Sequence, residues 1–289
     1  MPRPVVVGLD GSRESLAAAD WAAREALRRG LPLRLVHAYE GLPSDASDLP
    51  ELEAPRYWAR RILRGAMDRL DERYPQVRLS ADQVARPAAQ ALVTAGANAE
   101  LLVLGSRAFS GLGGFMAGSV ASATVAHVTR PVVLVRADQT PADERVPDGE
   151  GRPSAREPYR EVVVGVDTGH PCEEVLEFAF ESAALRNAPL RVVHAWHLPD
   201  DADAAAREAA GEALAALVRP WREKFPAVPV RELTENGRPA QVLLRATAEA
   251  GLLVVGRRTR PSRLGAHTGP VAHAVMHHVH CPVAVVPHG

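Results

Sequence analysis

Val5-Val6-Val7-Gly8-Leu9-Asp10 recurs as Val162-Val163-Val164-Gly165-Val166-Asp167, and the fold follows from that recurrence. Working outward, Leu33-Arg34-Leu35-Val36-His37-Ala38 returns as Leu190-Arg191-Val192-Val193-His194-Ala195. Leu101 to Gly105 returns as Leu252 to Gly256, and Arg130-Pro131-Val132 to Val135 as Cys281-Pro282-Val283 to Val286. Four matched runs in one order mean a duplicated domain. The segment between the copies is rich in Pro141, Pro147, Gly149, Gly151, Pro153 and Pro158 among small and charged residues, the composition of a linker. The expected division is therefore 1–137, a linker over 138–158, and 159–289.

Each copy alternates strand and helix. In the first, nearly continuous apolar runs at about 4–9, 32–38, 78–84, 100–105 and 131–136 read as strands covered on both faces. Ser12 to Arg29 reads as a helix capped by Ser12, with Leu16, Ala19, Ala23 and Leu27 at helical spacing. Arg56–Tyr74, Ala88–Ala97 and Gly118–Val128 supply three more. Such alternation with short links predicts an α/β fold in which each copy is a doubly wound parallel sheet.

Composition removes several functions. Thirty-four basic residues against 35 acidic ones leave a net charge of −1, which gives no general attraction to nucleic acid or to an anionic membrane. No apolar run approaches the roughly 20 residues that span a bilayer. The N-terminus runs straight into a strand without a secretory signal, and Cys172 and Cys281 are the only cysteines, so the expected compartment is the reduced cytoplasm. Lys224 is the only lysine and stands far from any glycine-rich loop, which excludes a P-loop nucleotidase and a kinase with its strand lysine.

Ligands of open parallel sheets bind beyond the carboxyl ends of the strands, where strand order reverses. Asp10-Gly11-Ser12 follows the first strand there, and Gly105-Ser106-Arg107 follows the fourth. Next come Ala108-Phe109-Ser110-Gly111-Leu112-Gly113-Gly114-Phe115-Met116-Ala117 and a helix opened by Gly118-Ser119-Val120. Glycine admits backbone N–H groups close to an anion, and a helix N-terminus favours negative charge. Asp10 has the chemistry to accept hydrogen bonds from a nucleoside.

Asp10 at the end of strand one, with Gly105, two residues, Ala108, nine residues and Gly118-Ser119, resembles the universal stress protein pattern. The likeness runs through both halves, including Arg86-Pro87 and Gly237-Arg238-Pro239 leading into each third helix. It implies a tandem of two five-stranded, Rossmann-like domains of the adenine-nucleotide alpha-hydrolase-like type, binding ATP with or without magnesium. By resemblance, Asp10, Gly11, Ser12 and the backbone of Ala38 hold the adenosine end. Gly105, Arg107, Ala108, Gly118, Ser119 and Val120 hold ribose and phosphates; Asp167, Ala195, Gly256 and Gly269 are the second-copy counterparts. The resemblance further implies a homodimer and a protein partner of unknown identity. The expected role is a stress-response regulator that binds nucleotide rather than turning it over; an interaction scaffold with lapsed pockets is the alternative.

Two departures bear on this. Ala108 replaces the family's usual glycine, which is costly if the position needs positive φ and silent if it does not. In the second copy Gly269 is followed by Pro270, which removes a hydroxyl and an amide donor while still suiting a helix start. Arg257, Arg258, Arg260 and Arg263 there offer Coulomb attraction to an anion or are solvated loop residues. His273, His277, His278 and His280 read as a helix face rather than a metal site, and Asp200, Asp201 and Asp203 as a helix start. His37 and His194 either line the pocket or bond backbone. Cys172 sits at a helix N-terminus, where a thiol is either activated or plain. No nucleophile–base pair stands out near the pocket, so no enzyme is expected.

Overall fold

The computed structural model describes residues 2–39, 50–108, 115–116, 118–196, 204–259 and 268–289, with backbone alone at 50–55, 107–108, 115–116 and 204. The chain divides into two compact units, Met1–Gln139 and Thr140–Gly289.

In the first unit β1 (Val5–Gly8), β2 (Leu33–Tyr39), β3 (Leu79–Ala85), β4 (Leu101–Ala108) and β6 (Val132–Arg136) form a parallel sheet in the order β3-β2-β1-β4-β6. A two-residue strand, β5 (Phe115–Met116), pairs antiparallel with β4 off that path. The helices α1 (Arg13–Arg29), α2 (Pro50–Arg73), α3 (Ala88–Ala97) and α4 (Ser119–His127) join them. α1 packs on α2 and α3 on α4, so the pairs cover opposite faces of a doubly wound sheet. Chain order runs outward from β1 to β3, then jumps back to β4. The crevice between β1 and β4 is the switch point.

The second unit repeats the plan. β7 (Val162–Val166), β8 (Leu190–Trp196), β9 (Val230–Asn236), β10 (Leu252–Arg258) and β11 (Val283–His288) are ordered β9-β8-β7-β10-β11. They alternate with α5 (Glu173–Arg186), α6 (Ala204–Lys224), α7 (Pro239–Ala246) and α8 (Pro270–His278). Five parallel strands per unit is the predicted α/β class.

Local chemistry explains the boundaries. Ser12 caps α1 by accepting from the Ser15 N–H at 3.2 Å, Arg28 and Arg29 complement the dipole in the last turn, and Gly30 closes it at φ 64°. Asn187, the counterpart of Gly30, closes α5 at φ 48°, a conformation asparagine tolerates better than most residues. The buried stripe of α1 is Ala18, Ala19, Ala22, Ala23 and Ala26 with Trp21, while Leu27 is 39 % exposed. The face is thus rotated from the one that leucine spacing predicts. Alanines let the helix axis approach the sheet, and close approach decides which face turns inward.

Residues 138–158 have a defined course. The Val146 N–H donates to Pro158 O and the Arg160 N–H to Glu144 O, both at 2.9 Å, and the Arg145 guanidinium lies 3.9 Å over the Tyr159 ring. Glu144 is buried. Backbone pairing and cation–π contact order a stretch poor in apolar side chains. Among the described residues, no helix is long and apolar enough to cross a membrane.

Candidate functional site

β1 ends at Gly8 and the chain turns through Leu9, Asp10 and Gly11 into α1. Asp10 Oδ1 accepts the Ser12 N–H at 2.9 Å and also the Ser12 hydroxyl, an Asx turn that sets the N-cap. Gly11 is at φ 83°, and a side chain there would also press on Ile62 of α2. The aspartate therefore has a folding role, and its exposed position at the strand end leaves it at the surface of the crevice. Asp167 repeats the turn by accepting the Gly169 N–H at 3.0 Å.

His37 Nδ1 donates to Leu9 O at 2.7 Å, and His194 Nδ1 donates to Val166 O at 3.2 Å. Both histidines tie the end of the second strand of their unit to that of the first, and of the two readings open from sequence, backbone bonding is the observed one. Ala38 and Ala195 follow them on β2 and β8, half-buried at the same edge.

On the other side of the crevice, Gly105 is required by packing. A Cβ there would lie 2.6 Å from Glu14 C and 2.7 Å from Ser15 N, so β4 and the first turn of α1 meet backbone to backbone. Gly256 instead faces a neighbouring ring: a Cβ would lie 2.8 Å from His288 Nε2. Arg107 and Ala108 extend β4, in register with Met116 and Phe115 of β5. β4 thus runs past the strand expected at 100–105 into an antiparallel pairing, and the apolar pair Phe115-Met116 is its signal in the sequence. Asn187 is the one non-glycine with positive φ among the described residues, so Ala108 carries no left-handed strain. The remainder of the glycine loop, Phe109 to Gly114 with Ala117, lies outside the described residues, as do Arg260, Arg263 and Asp200, Asp201 and Asp203.

α4 then begins at Gly118, with φ −56° and ψ 161°, and no side chain caps it among the described residues. Among the described residues, an added Cβ at Gly118 would meet no atom within 4 Å, and Ser119 and Val120 are exposed. Neither backbone strain nor crowding by the described residues asks for glycine there. In the second unit, α8 starts at Gly269 with φ 82° and Pro270 at its first position, so glycine is needed for conformation and one N–H is missing.

The charges also differ between the copies. Asp167 Oδ2 lies 3.1 Å from His170 Nδ1 and 3.6 Å from the Arg258 guanidinium. Desolvation pushes the Asp167 carboxyl up, but hydrogen bonds from His170 and Gly169 and the charges of His170 and Arg258 outweigh it and hold the group below its ordinary value. Burial pushes His288 down, with the charges of Arg258 and Arg257 adding to the effect. Burial likewise pushes the Cys172 thiol up to about 12, with Glu174 beside it at 3.3 Å. Cys172 is the N-cap of α5, as the sequence places it, yet desolvation outweighs the helix end. His273 and His277 stack edge to face at 4.4 Å on α8. Among the described residues, no group of three or more His, Cys, Asp and Glu is arranged to hold a metal ion.

Comparison with known proteins agrees with this architecture. The sequence model described as the Universal stress protein family matches residues 1–136 and 158–287. Universal stress protein Rv2005c of Mycobacterium tuberculosis is 32 % identical over 297 residues, covering 97 % of this chain and 96 % of that protein. A universal stress protein of Mycolicibacterium smegmatis is 31 % identical over 301 residues, covering 98 % and 96 %. The crystal structure of a universal stress protein from Archaeoglobus fulgidus shares the fold at a TM-score of 0.71 and 17 % identity, covering 99 % of this chain and 98 % of that one. With the duplicated sheet and both matched segments in place, the chain belongs to the universal stress protein family.

Proposed function

We propose that the first unit binds ATP in the crevice between β1 and β4 without turning it over, and that occupancy governs which partner the protein engages. One observation carries the reading: among the described residues, no side chain caps the N-terminus of α4 and nothing crowds or strains the glycine that opens it. Main-chain N–H groups of Ser119, Val120 and Ala121 would receive phosphate oxygens, aided by the helix dipole. Asp10 and the main chain of Ala38 would receive the adenosine end, and magnesium, if used, would travel on the phosphates. Nothing in this donor set activates a nucleophile, which is why binding rather than turnover is proposed.

The second unit suits the same ligand less well. Pro270 removes a donor, and Asp167 is already engaged by His170 and Arg258. Its pocket fits the scaffold reading, in which the copy is kept for its surface.

Titration calorimetry with ATP tests the assignment. The expected result is one site per chain, weakened by roughly 1.5–3 kcal/mol in Asp10→Ala, the scale of a lost charged hydrogen bond, and unchanged in Asp167→Ala. Equal loss in both variants, or no heat with the parent protein, would reject it. Recovery of inorganic phosphate at the pace of binding would reject the absence of turnover.

A further inference from the structure

On the first unit, away from the switch point, α2 and the sheet edge leave a cleft of about 380 Å³. It is lined by the apolar Leu63, Met67 and Ala81, by Gln83, and by Arg60 and Arg64, with Asp68 the one acid. β3, which contributes Ala81 and Gln83 to the cleft, is the last strand of its sheet, so its outer backbone groups have no strand partner among the described residues. One turn earlier on α2, Tyr57 and Trp58 are 56 % and 54 % exposed, with ring centroids 5.9 Å apart. The Arg61 guanidinium lies 5.3 Å from the Trp58 ring. Among the described residues, no carboxylate pairs with Arg60, Arg61 or Arg64. Exposed tryptophan, tyrosine and arginine together are the residue types that dominate binding energy at interfaces.

The duplication supplies an internal control. Tyr74-Pro75 after α2 matches Phe225-Pro226 after α6, with the same turn bonds, Val77 N–H to Tyr74 O at 2.9 Å and Val228 N–H to Phe225 O at 3.1 Å. Counting back from there, Leu63 falls on Leu214, and both are buried. Where the first copy has Tyr57, Trp58, Arg60, Arg61 and Arg64, the second has Glu208, Ala209, Gly211, Glu212 and Ala215. Ala81 on β3 becomes Glu232 on β9, which is closed off by Arg222 at 2.8 Å. One fold is built with or without these residues, so packing does not account for them.

We propose that this cleft is a docking site for an extended acidic segment of a partner protein, laid alongside β3 as an added strand. Its backbone would pair with the outer edge of β3, and every second side chain would turn toward α2. There carboxylates would meet Arg60 and Arg64 with their methylene stems over Leu63 and Met67, and the intervening apolar side chains would lie on the opposite face of the sheet. Arg61 and the Tyr57–Trp58 pair would close the end of the groove. A cleft beside an edge strand fits a single extended chain better than a flat lipid surface, and two arginines against the one carboxylate of Asp68 leave its lining positive. The proposal stands independently of nucleotide binding.

The test uses the full chain and a fluorescein-labelled peptide of alternating glutamate and valine, about ten residues long, read by anisotropy. Binding should exceed that of the lysine–valine peptide, and Arg60→Glu with Arg64→Glu should weaken it by at least about tenfold. Arg219→Glu on α6 should leave it unchanged. N-methylation of alternate peptide amides should weaken binding as well, because it removes strand donors without altering charge. No binding by the acidic peptide, equal binding by the double variant, or indifference to N-methylation would each overturn the proposal. Tighter, Arg60- and Arg64-dependent binding of phosphatidylserine vesicles or duplex DNA would overturn it in favour of those partners.

Discussion

A methyl group added at Gly105 would sit 2.6 Å from Glu14 C, whereas one added at Gly118 would meet no described residue within 4 Å. Gly105→Ala must push α1 away from β4 and should cost roughly 1–3 kcal/mol in thermal or urea unfolding. Gly118→Ala should leave ligand-free unfolding nearly unchanged, so that any loss of ATP affinity in it reports on the pocket alone. Cys172 gives a second residue-level expectation. Burial and Glu174 hold its thiol protonated to about 12, so labelling by a disulfide reagent near pH 8 should run far slower in the folded protein than in urea. Rapid labelling of the folded chain at Cys172 would contradict that environment.

Helix ends separate folding from binding at the next scale. α1 is capped by Ser12, and Ser12→Ala should cost about 1 kcal/mol of stability. α4 is the opposite case: among the described residues it has no side-chain cap, where one would be cheap to provide, since Gly118 already has φ −56° and ψ 161°. Gly118→Asp should raise the ligand-free melting temperature slightly, by roughly 0.5 kcal/mol in stability, through the cap and the dipole. The same carboxylate would repel phosphate and abolish ATP binding. Higher stability with lost binding is an outcome a structural glycine would not produce; unchanged ATP affinity would remove α4 from the site. α8 cannot be tested in the same way, because Gly269 at φ 82° would be strained by any other residue.

Across the molecule, the two units share a plan and differ in charge at the ligand edge. His288 and His273 are both held below the ordinary histidine value, by burial first, with Arg258 and Arg257 adding to it for His288 and His277 for His273. A depressed folded value means that the unfolded chain binds protons more readily. The stability involved is present above about pH 6.5 and is lost as pH falls through the lowered values. Both residues belong to the second unit, which should therefore lose stability on acidification from neutral pH toward about 5 sooner than the first. His288→Gln should flatten that slope in calorimetric melts at several pH values. An unaltered slope would show that the histidine is not the source.

Much of this was legible in the residues alone. Repetition of Val5–Asp10, Leu33–Ala38, Leu101–Gly105 and Val132–Val135 determined two doubly wound parallel sheets, because runs of β-branched residues buried on both faces have few other arrangements. Asp10 at a strand end and Gly118 opening a helix followed from the same periodicity. What the tertiary structure decided depended on distances between segments remote in sequence. Whether Gly105 is empty for a ligand or for the backbone of Glu14, whether Ala108 lies in a ladder or a left-handed turn, and whether Arg258 reaches Asp167 are matters of packing. So is the cleft beside β3, since an arginine row on a helix reads as a solvated face until the edge strand across from it is known. Periodicity records which way a side chain points along its own element; what it then meets is set by the neighbour, and only the folded chain brings the neighbour there.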